Sequence, residues 1–373
     1  MKIGYDAKRA FNNGSGLGNY ARWLIRSVAA AYPQHEFFLF TPTIREEYRS
    51  CFSDLKNVQV ISPTTAWGKT FHSLWRTYAI ARMCTRLNLD VYHGLSNELP
   101  AGIHRFLGKK MVTLHDVIFM RYPGFYPITD RFFYRNKTSY ALHEADSVIA
   151  ISRATQSDIM HYFGADEHKI TVIGMDCHAS FRTEPEAENI ARVLSKYELH
   201  TPYLLNVGTP EPRKNQLMLV RLLKSLKNPA VKLVLIGKRT AYADELMRLA
   251  HELHLTDRVR MLHGVPTADL PAIYRKASLF VYPSGYEGFG IPLLESMCSH
   301  VPVVTSAVSS LPEVVGPAAV LVQPNDDAAM KQAIDRVLED EPLRLKLIQE
   351  GQKQSQLFST AVLIPQLMKL YTS

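Results

Sequence analysis

The sequence predicts an α/β fold made of two consecutive domains, each a doubly wound parallel sheet with helices on its faces. Three observations lead there. A chain of 373 residues exceeds what one core of ordinary size holds, so two domains of roughly 150 to 200 residues are expected. Short apolar runs alternate with amphipathic segments throughout, the pattern of repeated β-α-β units. With 46% hydrophobic and 21% charged residues the composition is globular, which excludes disordered, collagen-like and fibrous chains.

In the first half the predicted strands are Lys2–Tyr5, Glu36–Thr41, Val58–Ile61, Val91–His93, Lys110–Leu114 and Ser147–Ile151, followed by the strand-like KITVIG. Predicted helices include Leu17–Ala31, Thr70–Leu87 and Asp130–Glu144. The second half repeats the pattern with strands Tyr203–Val207, Val231–Ile236, Val259–His263, Leu279–Tyr282, Val301–Thr305 and Val320–Val322. Domains are expected at 1–175 and 176–357, with the polar, acidic stretch Asp176–His200 as a linker. The amphipathic segment Thr360–Tyr371 is expected to form a helix, within about 358–373, that packs back onto the first domain.

Cys51, Cys84, Cys177 and Cys298 are far apart in the chain and form no metal-finger spacing, so neither a disulfide framework nor structural zinc is expected. The N-terminal MKIGYDAKRAF runs directly into a strand, and no apolar stretch approaches the length of a membrane span. A cytoplasmic protein is the expectation. Its formal charge of +8 sits mostly in residues 1–197, with 24 Lys/Arg against 18 Asp/Glu. Basic charge suits nucleic acid, an anionic membrane or phosphorylated ligands. With no interleaved basic-aromatic motif or helix-turn-helix pattern, nucleic acid is the poorest of these.

Ligands of doubly wound sheets bind beyond the carboxyl ends of the strands, where strand order reverses. After the first strand come Gly14, Gly16 and Gly18, where backbone amides at a helix start can approach an anion, although a flexible turn accounts for them equally well. After YLLNV come Arg213 and Lys214, a fork and a point charge suited to a diphosphate. After LFVYPS comes the sharpest element, Glu287-Gly288-Phe289-Gly290-Ile291-Pro292-Leu293-Leu294-Glu295. Its glycines, helix-initial proline and two bracketing carboxylates suit a phosphate and two sugars. His115-Asp116, just past MVTL, and His93 in the preceding strand are further candidates, each also explicable as packing.

Together these segments resemble the GT-B-fold retaining glycosyltransferases of family four. The resemblance rests on the Glu-x7-Glu element (Glu287, Glu295), GTPEPRKN, LVLIGK, the strand ending in His263-Gly264-Val265, PVVTS and SSLPEVVG, in the family's order over nearly the whole chain. It implies two Rossmann-like domains facing a cleft. Glu287 would contact the donor sugar, Glu295 the nucleotide ribose, and the amides of Gly288, Phe289 and Gly290 the diphosphate. Lys214 and Arg213 would offset leaving-group charge. Gly16, Gly18 and Val265 would line the donor site, His115 would act at the reacting centre, and Asp116 and His93 would lie on the acceptor side. Many members carry Arg where this chain has Thr209, Gly where it has His300, and an acid where it has Pro317.

No Asp-x-Asp occurs, so neither a metal nor any other cofactor is expected, the nucleotide sugar being a substrate. The mannosyltransferase-like EPRKN and SSLPEV segments favour GDP-mannose, then UDP-sugars, with a glycan or lipid-linked acceptor. A catalytically silent sugar-nucleotide or glycan-binding module and a GT-B nucleotide-sugar epimerase stand as alternatives, and a phosphorylase lacks an identifiable cofactor lysine. Finally, Leu55–Leu89 contains no acid, and Lys69, His72, Arg76, Arg82 and Arg86 share one arc of the predicted helix beside Phe71, Trp75 and Tyr78. That arc suits either an anionic membrane surface, on the inner face of the membrane, or a solvated helix face.

Overall fold

A computed structural model describes residues 1–373 other than Ala66, Trp67, Lys69 and Thr201. The chain divides into two compact units, Met1–Asp176 with Ser359–Ser373, and Cys177–Phe358.

In the first unit the strands are β1 (Lys2–Asp6), β2 (Glu36–Phe40), β3 (Val58–Ile61), β4 (Val91–Gly94), β5 (Lys109–Leu114), β6 (Ser147–Ala150) and β7 (Ile170–Val172). Among the described residues they pair in parallel in the order β3-β2-β1-β4-β5-β6-β7. Order reverses between β1 and β4, so both the Gly14–Gly18 turn and the end of β4 lie at the switch point. Strands covered on both faces become apolar runs, which is why they were readable in sequence. The helices used below are α1 (Gly16–Ala31), α2 (His72–Tyr78), α3 (Ile80–Arg86) and α4 (Ile128–Glu144).

In the second unit α5 (Ala187–Lys196) leads into β8 (Tyr203–Val207), α6 (Gln216–Leu223), β9 (Lys232–Ile236), β10 (Val259–Leu262), β11 (Leu279–Tyr282), α7 (Ile291–Cys298), β12 (Val303–Ser306) and β13 (Ala319–Val322). The parallel order is β10-β9-β8-β11-β12-β13, reversing between β8 and β11. Leu204, Leu219, Leu233, Leu279 and Val304 centre its core.

Helix α8 (Thr360–Thr372) belongs to the first unit. The Asp176 carboxylate accepts from the Thr360 amide at 2.8 Å and its hydroxyl at 2.9 Å, Trp23 Nε1 donates to Thr360 Oγ1 at 2.9 Å, and Lys109 Nζ donates to the Leu370 carbonyl at 2.6 Å. Leu363, Ile364, Leu367, Met368 and Tyr371 are buried by it.

Two expectations change. The stretch Asp176–His200 is not a free linker. Its helix α5 buries Ile190 and Val193, and Lys196 and Tyr197 each reach Asp269 at 2.7 Å. Separately, Cys177 and Cys298, distant in sequence, are reduced thiols whose sulfurs lie 3.5 Å apart in the buried interior of the second unit. The basic arc of 69–86 is also reduced, although Arg82 and Arg86 stay exposed. Lys69 lies outside the described residues, Trp75 is buried, and Arg76 turns inward to pair with Asp6 and, at 2.6 Å, with Glu98. A cation needed by two carboxylates inside the fold is not available to a bilayer. Among the described residues no helix is long and apolar enough to cross a membrane.

Candidate functional site

The carboxyl ends of β8 and β11 carry a buried cluster of charged and hydroxyl side chains. Beyond β8 a turn at Pro212–Lys214 buries Lys214, and beyond β11 the loop reaches Glu287. Lys214 Nζ lies 3.0 Å from Glu287 Oε1, and Arg213 lies 3.0 Å from Glu287 Oε2. Arg213 also bonds to the Tyr286 carbonyl and Glu211. A Cβ on Gly208, which has φ +151°, would meet Lys214 Nζ at 3.2 Å and Cδ at 3.3 Å, so glycine here leaves room for the lysine stem.

Charge is balanced within this cluster. Burial alone would raise the Glu287 carboxyl, but Lys214 and Arg213 outweigh it and hold the group at about 2. Burial likewise opposes the charged lysine and arginine, yet Glu287 holds both above their ordinary values. Glu287 is therefore an ionised acceptor, and Lys214 and Arg213 remain cations. Two residues that the sequence reading missed complete the cluster. The Tyr282 hydroxyl lies 2.7 Å from Lys214 Nζ and 2.9 Å from Glu287 Oε1, and Ser284 Oγ donates to the same oxygen at 2.9 Å. Their signal was there in LFVYPS, polar side chains at the mouth of a buried strand.

The next segment turns into α7. Ser310 Oγ donates to the carbonyls of Glu287 and Phe289 at 2.9 and 2.8 Å, pinning the loop that contains Gly288. The Phe289 ring is buried, edge-on to Phe358 at 5.3 Å. Gly290 caps α7, Pro292 lies in its first turn, and the first-turn amides of a helix attract anions. Two turns in, Glu295 accepts a bond from the Tyr274 hydroxyl at 2.8 Å, and burial pushes its carboxyl up to about 7. Val265, half-buried after β10, lies on the same end of the sheet.

In the first unit His115 is buried at the end of β5. Its amide donates to Asn97 Oδ1 at 3.0 Å, its ring lies edge-on to Tyr20 at 4.6 Å, and Nε2 contacts the Leu95 carbonyl at 2.9 Å. Burial lowers it to about 4, so the imidazole is neutral; with Nε2 donating to Leu95, Nδ1 is an acceptor. Asp116 uses its backbone carbonyl to hold Asn97 and its carboxylate to accept the Ile118 amide at 3.2 Å, shaping the turn after His115.

His93 is a correction. It is fully buried, with Nδ1 2.8 Å from the Tyr371 hydroxyl of α8 and Nε2 2.8 Å from Thr113 Oγ1 of β5, so one nitrogen ties α8 to the sheet, the other ties β4 to β5, and neither is open to an acceptor. Gly18 also has a structural reason. A Cβ there would come within 1.8 Å of the Asn13 carbonyl, whereas Gly16 at the exposed start of α1 meets nothing within 4 Å.

A switch-point cluster of two cations and a carboxylate, beside a glycine-capped helix start in a doubly wound unit, is the arrangement of proteins that handle phosphorylated ligands. Comparison with known proteins narrows the class to the glycosyltransferases. Residues 14–174 match the family described as Glycosyltransferase Family 4, and residues 189–354 match Glycosyl transferases group 1. The O-antigen chain mannosyltransferase B of Escherichia coli is 36% identical over 274 residues, 72% of this chain and 70% of that protein. The O-antigen chain mannosyltransferase RfbU of Salmonella typhimurium is 30% identical over 232 residues, 62% of this chain and 61% of that protein. In fold, the crystal structure of Anabaena Alr3699/HepE in complex with UDP and glucose aligns over 100% of this chain and 99% of that one, with TM-score 0.77 and 18% identity. The chain belongs to the group 1 and family 4 glycosyltransferases, has the GT-B fold, and is a sugar-transferring enzyme.

Proposed function

We propose that the enzyme transfers a sugar, with retention and without a metal, from a nucleotide-diphosphosugar to a glycan or lipid-linked acceptor in surface polysaccharide synthesis. GDP-mannose is the favoured donor and UDP-sugars come next. The observation that carries this reading is the buried Lys214–Arg213–Glu287 cluster at the β8/β11 switch point, next to the start of α7. The donor sugar follows from relatives named as mannosyltransferases.

In this reading the diphosphate lies at the Gly288–Gly290 amides, and Lys214, with Arg213, offsets the charge that grows on the departing nucleoside diphosphate. Such preorganised contacts are worth about 2.7–4 kcal/mol of barrier each. Glu295 accepts the ribose hydroxyls and Glu287 the sugar hydroxyls. His115 Nδ1 accepts from the donor sugar or the acceptor, with Gly16, Gly18 and Val265 bordering the donor and Asp116 the acceptor.

The sequence has no Asp-x-Asp, and Lys214 and Arg213 are the cations placed at the cluster for that role. The acceptor hydroxyl attacks the anomeric carbon on the face the phosphate leaves. The anomeric C–O bond to phosphate breaks, the new glycosidic bond forms, and the departing phosphate oxygen takes the hydroxyl proton. The Glu287 carboxylate is already committed to Lys214, Arg213, Tyr282 and Ser284, so a covalent glycosyl-enzyme is not part of the scheme. A thermal-shift screen with GDP, UDP and ADP should single out GDP by mass action. Transfer of mannose from GDP-mannose should then give the donor's anomeric configuration by NMR. An inverted product, or a glycosyl adduct trapped on a side chain, contradicts the scheme.

A further inference from the structure

We infer that Cys177 and Cys298 form a thiol-modification site, at which a low-molecular-weight disulfide enters beside α7 and is reduced while the two cysteines join. Their sulfurs are 3.5 Å apart, the Cys177 thiol donating to the Cys298 sulfur, and both side chains are buried. The contact brings together residues 121 positions apart in the chain. The other two cysteines are placed differently. Cys51 donates to the Tyr48 carbonyl at 2.9 Å, and Cys84 packs in the core of the first unit.

Access comes through a cavity of about 160 Å³ within the second unit. Cys298 lines it, together with Arg182, Pro271, Arg275, Ser299 and His300. The buried Ser299 hydroxyl has no hydrogen-bond partner among the described residues, so a polar group arriving with the disulfide gains a partner there. Reactive thiols sit where solvent has access and a cation is near. Arg275 donates to the Ser299 carbonyl at 3.1 Å, next to Cys298, and pairs at 2.9 Å with the exposed Glu184 on the other side. Cys298 is therefore the thiol that meets the incoming molecule, and Cys177 the one that waits behind it.

The exchange balances with no further reactant. Cys298, as its thiolate, attacks one sulfur of the entering RS–SR; that S–S bond breaks, a mixed disulfide forms on Cys298, and RS⁻ leaves. Cys177 then gives up its proton and attacks Cys298 Sγ, expelling the second RS⁻. The two cysteine protons end on two RSH, and the entering disulfide gains the two electrons that the cysteines lose. Closing the bond draws the sulfurs to about 2.05 Å. Cys298 is the last residue of α7, one turn after Glu295, and Cys177 is the first residue of the second unit. The new bond therefore pulls on the helix that carries Glu295 from the point where the chain enters the unit. A displacement of about 1 Å is enough to misplace a ligand contact. That consequence rests on the ribose contact proposed above for Glu295; formation of the bond does not.

Incubation of the folded full chain with 2-hydroxyethyl disulfide, followed by acid quench, alkylation and peptide mass mapping, tests the inference. The expected product is a peptide cross-linked through Cys177 and Cys298, with Cys84 recovered as a thiol after unfolding. Cys177→Ser should instead accumulate a hydroxyethylthio adduct on Cys298, and Cys298→Ser should leave Cys177 unmodified. By calorimetry GDP should bind the cross-linked protein about tenfold more weakly than the reduced protein. Dithiothreitol should restore the affinity, and reduced Cys177→Ser should bind GDP like the reduced wild type. No cross-link in the folded wild type overturns the inference, as does cross-linking only after unfolding, or an adduct on Cys177 in Cys298→Ser with none on Cys298 in Cys177→Ser. Equal GDP affinity of the cross-linked and reduced forms overturns the link to α7. A cross-link in a protein that binds GDP in neither form supports the thiol site and counts against the donor reading instead, which keeps the two failures apart.

Discussion

Glu287 Oε1 lies 3.0 Å from Lys214 Nζ, and both residues are buried at the mouth of one sheet. The pair fixes where positive charge waits before any diphosphate arrives, and it makes the carboxylate and the leaving-group phosphate rivals for the same cation. Glu287→Gln keeps the shape and removes the charge. Breaking a buried pair by deleting one partner costs about 3–5 kcal/mol, so the melting temperature should fall. GDP should raise that temperature more in the variant than in the wild type, because an anion then restores the balance. Transfer should drop about 10²- to 10³-fold. A stable variant with unchanged turnover would remove Glu287 from the centre.

The second carboxylate behaves oppositely. Burial raises Glu295 to about 7, above its unfolded value, so its contribution to folding is present at low pH and is lost as pH rises through 7. Glu295→Gln should stabilise the ligand-free protein at pH 8 by up to about 3 kcal/mol and leave it little changed at pH 4.5. The ribose needs the ionised form as an acceptor. Calorimetric GDP affinity should therefore be about tenfold higher at pH 8 than at pH 6 in the wild type, and flat in Glu295→Gln. A flat wild-type profile would take Glu295 away from the ribose.

Gly208 offers a test through geometry alone. A methyl group 3.2 Å from Lys214 Nζ and 3.3 Å from its Cδ, at φ +151°, crowds the lysine and shifts its ammonium against Tyr282 and Glu287. Gly208→Ala should lower kcat more than it raises KM in steady-state kinetics, whereas a change confined to KM would mean that Lys214 keeps its place.

His300 follows the last turn of α7 with φ +58°, a left-handed conformation that side chains other than glycine adopt at a cost. His300→Gly should raise stability by about 0.5–1 kcal/mol in chemical denaturation without changing kcat, despite the added freedom of the unfolded chain.

What was legible in the sequence was what depends on near neighbours. Parallel strands covered on both faces left apolar runs, and the Glu287–Glu295 stretch, its glycines and Pro292 announced a helix start after a strand. What stayed hidden depends on partners far along the chain. No helical projection reveals that Asp6 and Glu98 wait beneath Arg76, or that Tyr371 and Thr113 occupy both nitrogens of His93. Tyr282 looked like one more apolar strand residue until Lys214, from another strand's loop, reached its hydroxyl. Cys177 and Cys298 likewise meet only when the chain closes on itself.

Neutralisation of the leaving nucleoside diphosphate by Lys214 is best measured as single-turnover transfer of radiolabelled mannose from GDP-mannose by the wild type and by Lys214→Met. Transfer should be at least about 100-fold slower in the variant while GDP-mannose still binds. Transfer within about threefold of the wild type would contradict it.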